Sequence, residues 1–557
     1  MAGCSPSDYS ECPRTTGQRK RKSELPAVCR SPSALLALAL SAHAATPTVP
    51  VLNWNPCSPD GAVCAAAQVP LDYDDPAGPQ TYVVLARYPV NPATRIGTVF
   101  VNFGGPGVSG VTRLIQSGFG LTLRGLLQGK FDVVAFDPRG VGYSDPIQCF
   151  DTEGDRTAFR NALPVFPFFD DQERPYFNAY GSLGARCLGR GQAIALHMST
   201  ADVARDLDLL RQAVGDERIT YLGFSYGSYL GNTYANMFPG KVRALAIDGV
   251  LNPLIWTIGR QISSDRVATA AVAEEFNRLC DAAAAINPAY CLMSGPYGAA
   301  ANYAAVLESI KQVPVLLPDG TLLTYDKLVA QTVGCMYQPE LWPACANGIA
   351  YLASALRGEV GAAEKAAATL RGIVDRWRAA DAGRAYNNQF DASLGVLCAD
   401  TQYRNPFAYY AALDGWTAKG SIFGPYWWWL NVPCANWPLS PDRYAGPWTA
   451  RTSAQVLVVG NFFDPATDYA GAQAAAKWLK NARLLSYAGW GHCAFPRFNP
   501  CIVNYVVRYL FDGSLPAEGT VCPANPSPFL PASSSVSATV RTSGLSAAGL
   551  PMDVPGM

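Results

Sequence analysis

Six short apolar runs, each bounded within a few residues by Gly, Pro or Asp, recur along the chain: Tyr82-Val-Val-Leu-Ala86, Thr98-Val-Phe-Val101, Phe131-Asp-Val-Val-Ala-Phe136, Ile219-Thr-Tyr-Leu222, Ala244-Leu-Ala-Ile247 and Gln455-Val-Leu-Val-Val459. Each has the length and composition of a strand. Between several of them lie amphipathic stretches of helical period, such as Asp202-Val-Ala-Arg-Asp-Leu-Asp-Leu-Leu-Arg-Gln-Ala-Val214. A strand that is apolar throughout must be covered on both faces, and a helix between two strands brings the second back parallel to the first. The pattern predicts an α/β fold, a mostly parallel sheet with helices on both faces.

The rhythm breaks between 252 and 450, where Ala-bearing helical stretches, six cysteines and the aromatic segment Tyr426-Trp-Trp-Trp-Leu-Asn431 replace it. Because the strand-like Gln455 to Val459 resumes the sheet pattern, this region reads as a large, mainly helical cap inserted into one sheet rather than as a separate domain. With 557 residues the chain can hold both. The expected organisation is a first core part over 45–251, the cap over 252–450, a second core part over 451–522, and a disordered Pro/Ser/Ala-rich tail over 523–557. The triple Trp segment reads as cap core rather than as a substrate pocket.

Residues 1–44 read as a signal peptide: basic Arg19-Lys-Arg-Lys22, the apolar run Ala34 to Leu40, and a small-x-small cleavage site at Ala42-His-Ala44. The basic run lies far from Met1, as it would if translation began downstream. No stretch reaches the roughly 20 apolar residues that a spanning helix needs, so the expected location is secreted or periplasmic. Cysteine usage agrees. Three of the 16 fall in the leader, and Cys57/Cys64, Cys280/Cys291 and Cys335/Cys345 are spaced for local disulfides, with one thiol left over. No C-x-x-C occurs and histidine is scarce, so no metal site is expected. The 43 basic and 43 acidic side chains cancel, which points away from nucleic acid or an anionic membrane as partner.

A serine sits between two glycines in Gly223-Phe-Ser-Tyr-Gly227, after one apolar run and before a helical stretch. Chance would supply such a pattern about 0.3 times in a chain this long, so context carries the argument. A serine at a sharp strand-to-helix turn needs minimal neighbours two residues away on each side, and becomes a nucleophile only if a base takes its proton. Of three histidines, His43 lies in the leader and His197 upstream of the serine; His492, in Gly489-Trp-Gly-His-Cys493 after the strand-like Arg483 to Tyr487, fits the base. Asp464, in the loop after Gln455 to Val459, fits the orienting acid, with Asp468 and Asp248 as competitors. For the oxyanion, the backbone N–H of Tyr226 and one from Gly104 or Gly105, in Asn102-Phe-Gly-Gly-Pro-Gly107, are the candidate donors.

Taken together, Asn102-Phe-Gly-Gly-Pro-Gly107, Phe136-Asp-Pro-Arg-Gly-Val-Gly-Tyr-Ser144, Gly223-Phe-Ser-Tyr-Gly227, Asp248-Gly-Val250, Pro433-Cys-Ala-Asn-Trp-Pro438, Asp464-Pro-Ala-Thr467 and Gly491-His492 resemble the secreted tripeptidyl aminopeptidase branch of the α/β-hydrolases, related to the prolyl aminopeptidases. The resemblance runs from about Trp54 to Cys522. It implies an α/β-hydrolase fold, a Ser225–Asp464–His492 triad and no cofactor. It also implies a cap that restricts access to a peptide's free N-terminus, with release of short peptides or single residues. An esterase or amidase with the same triad is the alternative, and a non-catalytic binding protein a more distant one. Epoxide hydrolysis, which normally uses an aspartate nucleophile, is disfavoured. Recognition of a substrate ammonium calls for a carboxylate in the cap, for which Glu274, Glu275 and Asp400 are candidates.

Overall fold

The computed structural model describes residues 46–190, 193–378, 386–401 and 421–531. The leader lies outside them. Twelve strands occur among the described residues: β1 (Asn55–Pro56), β2 (Val63–Pro70), β3 (Gln80–Tyr88), β4 (Gly97–Asn102), β5 (Phe131–Phe136), β6 (Ile219–Phe224), β7 (Val242–Asp248), β8 (Val315–Leu316), β9 (Leu322–Leu323), β10 (Val456–Phe463), β11 (Ala482–Trp490) and β12 (Val521–Cys522). Ten form one sheet in the order β1-β2-β3-β5-β4-β6-β7-β10-β11-β12. The three edge pairings β1/β2, β2/β3 and β3/β5 are antiparallel, and the rest are parallel.

All six apolar runs are strands of this sheet, and alternation explains why they are apolar at nearly every position. Val99, Val101, Leu222, Leu457 and Val459 pack into one hydrophobic cluster, while Phe100, Tyr221, Leu245, Ile247, Val456 and Val458 pack into another on the opposite face. Every one of these side chains has 0% exposure, and burial of each stabilises the fold by about 1.5–3 kcal/mol. Helix α1 (Thr200–Ala213), which answers to the amphipathic stretch read from Asp202, buries Val203, Leu207 and Leu210 in the second cluster. The antiparallel β1/β2 edge was not legible. The centre of β2, Cys64-Ala-Ala-Ala67, has little strand propensity and is held by pairing with β3.

Between β7 and β10 the chain leaves the sheet for a series of helices and the small β8/β9 hairpin. Of these, α2 (Gln261–Ile286), α3 (Tyr325–Tyr337), α4 (Gln389–Asp400) and α5 (Gly424–Trp429) bear on the site. Tyr426, Trp427 and Trp428 are buried. A second segment, 149–190, between β5 and β6, joins this cover. Phe166 meets the rings of Tyr325 and Tyr426 edge-on, Tyr176 does the same with Trp429, and the Val165 N–H donates to Asp326 at 2.6 Å. This departs from the assignment of everything before 252 to the core. The reason is tertiary: the segment's apolar side chains find their partners some 150 to 270 residues further along the chain.

The start of the expected disordered tail is also ordered. Phe529 is buried against Phe276 and Trp342, and Asn525 bonds Asn499 and the Arg497 carbonyl. The Pro523 carbonyl also accepts from Asn499 and the Asn525 N–H donates to the Tyr487 hydroxyl; the rest of the tail lies outside the described residues. Six disulfides form: the three local ones expected, and Cys149–Cys187, Cys398–Cys434 and Cys501–Cys522. The remaining thiol among the described residues is Cys493, fully buried. No helix among the described residues is long and apolar enough to cross a membrane.

Candidate active site

Parallel strands deliver their C-terminal ends to one edge of a sheet, where loops can converge. Here β4, β6, β7, β10 and β11 end in Asn102, Phe224, Asp248, Phe463 and Trp490, each within two residues of a candidate side chain or loop. Ser225 occupies the one-residue turn between β6 and helix α6 (Tyr226–Met237), with φ 55° and ψ −123°. A non-glycine residue there is strained by roughly 1–3 kcal/mol. Flanking contacts hold it. The Ser225 N–H donates to the Asp248 carbonyl at 2.9 Å, and the Ser228 N–H donates to the Ser225 carbonyl at 2.7 Å. A Cβ at Gly223 would lie 2.3 Å from the Gly227 carbonyl oxygen, and one at Gly227 would lie 2.7 Å from that of Asn102. The turn closes only with glycine at both positions.

Asp464 and His492 are brought together. The Nδ1 of His492 lies 2.8 Å from Oδ1 of Asp464, and both side chains are buried. Asp464 also accepts the backbone N–H groups of Ala466, Thr467 and Cys493 at 2.9–3.0 Å. Burial alone would raise its pKa, but His492 and these donors outweigh burial and hold it below the usual carboxylate value. The two competitors do other things. Asp468 caps the helix α7 (Tyr469–Trp478) through the Ala470 N–H. Asp248, fully buried, accepts the N–H groups of Ala494 and Phe495 at 2.7–3.1 Å and so anchors the loop that carries His492. Burial pushes it up to about 6.

The loop after β4 lies against the turn. The Cβ position of Gly104, at φ 88°, is 2.8 Å from the Ser225 Cβ and 3.2 Å from the Tyr226 nitrogen, so only glycine fits. The Gly104 N–H is already spent on Asn102 Oδ1 at 3.0 Å. The Tyr226 N–H opens helix α6 and has no intrahelical acceptor. Asp137 fixes the far end of the loop, accepting from Ser109 Oγ and the Val111 N–H at 2.8–2.9 Å and from the Tyr143 N–H at 2.8 Å.

Known proteins share this fold. A family model described as "alpha/beta hydrolase fold" matches residues 98–296, and one described as "TAP-like protein" matches 420–522. Carboxylesterase B of Mycobacterium tuberculosis is 31% identical over 494 residues, covering 86% of this chain and 92% of that protein. The chain belongs to the TAP-like α/β-hydrolases. Serine protease Hip1 of M. tuberculosis is 29% identical over 503 residues, covering 85% and 91%, and tripeptidyl aminopeptidase of Streptomyces lividans is 28% identical over 491 residues, covering 86% and 87%. At this level the protein is a serine hydrolase.

In this TAP-like hydrolase two of the three carboxylates offered for a substrate ammonium are otherwise engaged, and the third faces solvent. Asp400 is 1% exposed and accepts from Thr200 N–H and Oγ1 and from Trp256 Nε1. Glu275 forms a fork with Arg278 and accepts from Trp490 Nε1 at 3.0 Å, and Glu274 is exposed to solvent. His197 is remote in role, its carbonyl held by Arg139. Sequence reasoning missed the covering of the histidine loop by the cap. The His492 N–H donates to the Tyr337 carbonyl at 2.9 Å, and the Tyr337 ring lies 4.8 Å from the imidazole. It also missed the rings of Phe103, Phe119, Phe224 and Phe495, which pack together beneath the converging loops. Neither leaves a local signal. Asp464, His492 and Cys493 could in principle ligate a metal, as could Asp72, Asp74 and Asp442; in the first set Nδ1 and the carboxylate already satisfy each other.

Proposed function

We propose that this protein is an exported serine aminopeptidase that removes short peptides or single residues from peptide N-termini through an acyl-enzyme, with Ser225, His492 and Asp464 as its triad. The observation that carries this reading is the buried Nδ1–Oδ1 bond of the histidine–aspartate pair, with Asp248 bonded through its carbonyl to the N–H of Ser225, a serine at positive φ, and through its carboxylate to the loop that carries His492. Its mechanism follows from that geometry. Ser225 Oγ attacks the scissile carbonyl while His492 Nε2 takes its proton, and the Nδ1–H donated to Asp464 stabilises the imidazolium. The Tyr226 N–H receives the oxyanion together with that of Gly105, because the Gly104 donor is committed to Asn102. His492 then protonates the leaving amine, the acyl-enzyme forms, and water reverses the sequence with His492 as base. No group outside the chain is called for.

Kinship with a tripeptidyl aminopeptidase and a serine protease supports peptides as substrates. A cap over 252–450, extended by 149–190, supports restricted access. Six disulfides support an oxidising compartment and hence the leader as an export signal. Ester hydrolysis is the second reading, favoured by kinship with a carboxylesterase. The test is turnover of matched peptide p-nitroanilides, free or acetylated at the N-terminus, beside a p-nitrophenyl ester, for wild type and Ser225→Ala. Preference for the free amine, lost in the variant, is the expected result. Turnover of the ester alone would make the protein an esterase, and failure of a fluorophosphonate to label Ser225 would end both readings.

A further inference from the structure

The first turns of α2 hold an unusual pair of acceptors. Asp265 is 7% exposed, and its only side-chain hydrogen bond among the described residues comes from Gln261 Nε2, at 2.6 Å to Oδ1. Gln261 is likewise 7% exposed, and its Oε1 is buried with no partner. The charges that act on Asp265 come from Asp464 and Asp468, both negative, and no Lys or Arg pairs with it among the described residues. A buried carboxylate with one neutral donor beside an orphaned amide oxygen is expensive to maintain for stability alone. Burial first, and then those two anions, push its pKa well up, and a cation held by the pair would act in the opposite direction.

Its location is equally specific. Thr269, one turn further and on the same face of α2, donates to the Pro465 carbonyl at 2.7 Å, in the loop that carries Asp464. Trp427 Nε1 donates to Thr269 Oγ1 at 2.8 Å. Tyr337 and Tyr426 stand close to Asp265: burial raises both hydroxyls, and the Asp265 charge adds to it. Asp265 therefore faces the neighbourhood of the Asp464–His492 pair from the cap side, among aromatic rings.

We propose that Asp265 and Gln261 form a receptor for an alkylammonium group of the substrate, with the carboxylate supplying the countercharge and the Gln261 carbonyl oxygen a second acceptor. An ammonium brings three donors and a positive charge, the two things this pair lacks. Under the aminopeptidase reading, on which the identity of the group rests, the cation is the free N-terminus; a lysyl side chain offers the same chemistry.

The test compares wild type with Asp265→Asn, which keeps the shape and removes the charge. On tripeptide p-nitroanilides, the ratio of kcat/KM for free over acetylated N-termini should fall at least tenfold, mainly through KM. If the ratio for lysyl over norleucyl side chains falls instead, the cation is a side chain. If neither ratio moves, the receptor is lost. A second measurement does not depend on peptide cleavage: hexylammonium should inhibit p-nitrophenyl ester hydrolysis by wild type at concentrations at least tenfold below those needed for hexanol, and Asp265→Asn should erase that preference. Equal inhibition by the two in wild type overturns the proposal even if the variant does not fold. An ammonium preference without any peptide turnover would keep the receptor and discard the aminopeptidase.

Discussion

Two fully buried aspartates, Asp464 and Asp248, sit on adjacent strand ends and shift in opposite directions. The difference lies in their partners. Asp464 faces His492 and three N–H groups, and Asp464→Asn, which would reverse the hydrogen bond at Nδ1, is expected to lower kcat by about 10⁴ without moving the urea midpoint appreciably. Asp248 has only backbone donors, and burial wins. Its folded pKa of about 6 lies above the unfolded value of roughly 3.9, so its ionisation opposes folding, and that penalty grows as pH rises through this window. Stability lost on Asp248→Asn should accordingly be larger at pH 4.5 than at pH 7, by roughly 2 kcal/mol, as read by urea unfolding. At Gly104, an alanine would drive its Cβ to 2.6 Å from the Phe224 carbonyl oxygen at a φ that favours glycine. Gly104→Ala should cost at least 10²-fold in kcat, seen in turnover of any substrate.

At the scale of elements, the strands were legible because both faces of the sheet are buried and the apolar runs have few interruptions to hide them. The strand-to-helix turn at Ser225 was legible for a related reason: close backbone approach demands glycine at 223 and 227, and glycine is visible in sequence. Asp464 and His492 stood out by elimination and by their place after strands. Asp265 did not, because nothing in Ser264-Asp-Arg266 tells which helix face meets the loop after β10. Arg139 was similarly mute. Its guanidinium, 0% exposed, forks onto Asp206 at 2.6–2.7 Å and reaches the carbonyls of Leu71 and Pro70, tying the loop after β5 to α1 and β2. Arg139→Ala would strand the buried Asp206 charge and should destabilise by about 3–5 kcal/mol, measured by urea unfolding.

For the whole molecule, the least legible features are those that join distant stretches of chain: the 149–190 segment in the cover, and the docking of 523–531. Composition marks the latter as disordered, since Pro, Ser and Ala outnumber its apolar side chains, yet Phe529 fills a site between Phe276 and Trp342. Phe529→Ala should lower stability by roughly 3 kcal/mol, and ending the chain after Cys522 should do at least as much, with Trp342 fluorescence reporting the exposure. From residue 46 onward twelve of the thirteen cysteines are bridged, and the thirteenth follows His492 directly. A sealed thiol reacts with an aromatic disulfide reagent only during moments when its surroundings part. The labelling rate of Cys493 in the folded protein is thus a native stopwatch for excursions of the histidine loop, needing no engineered probe.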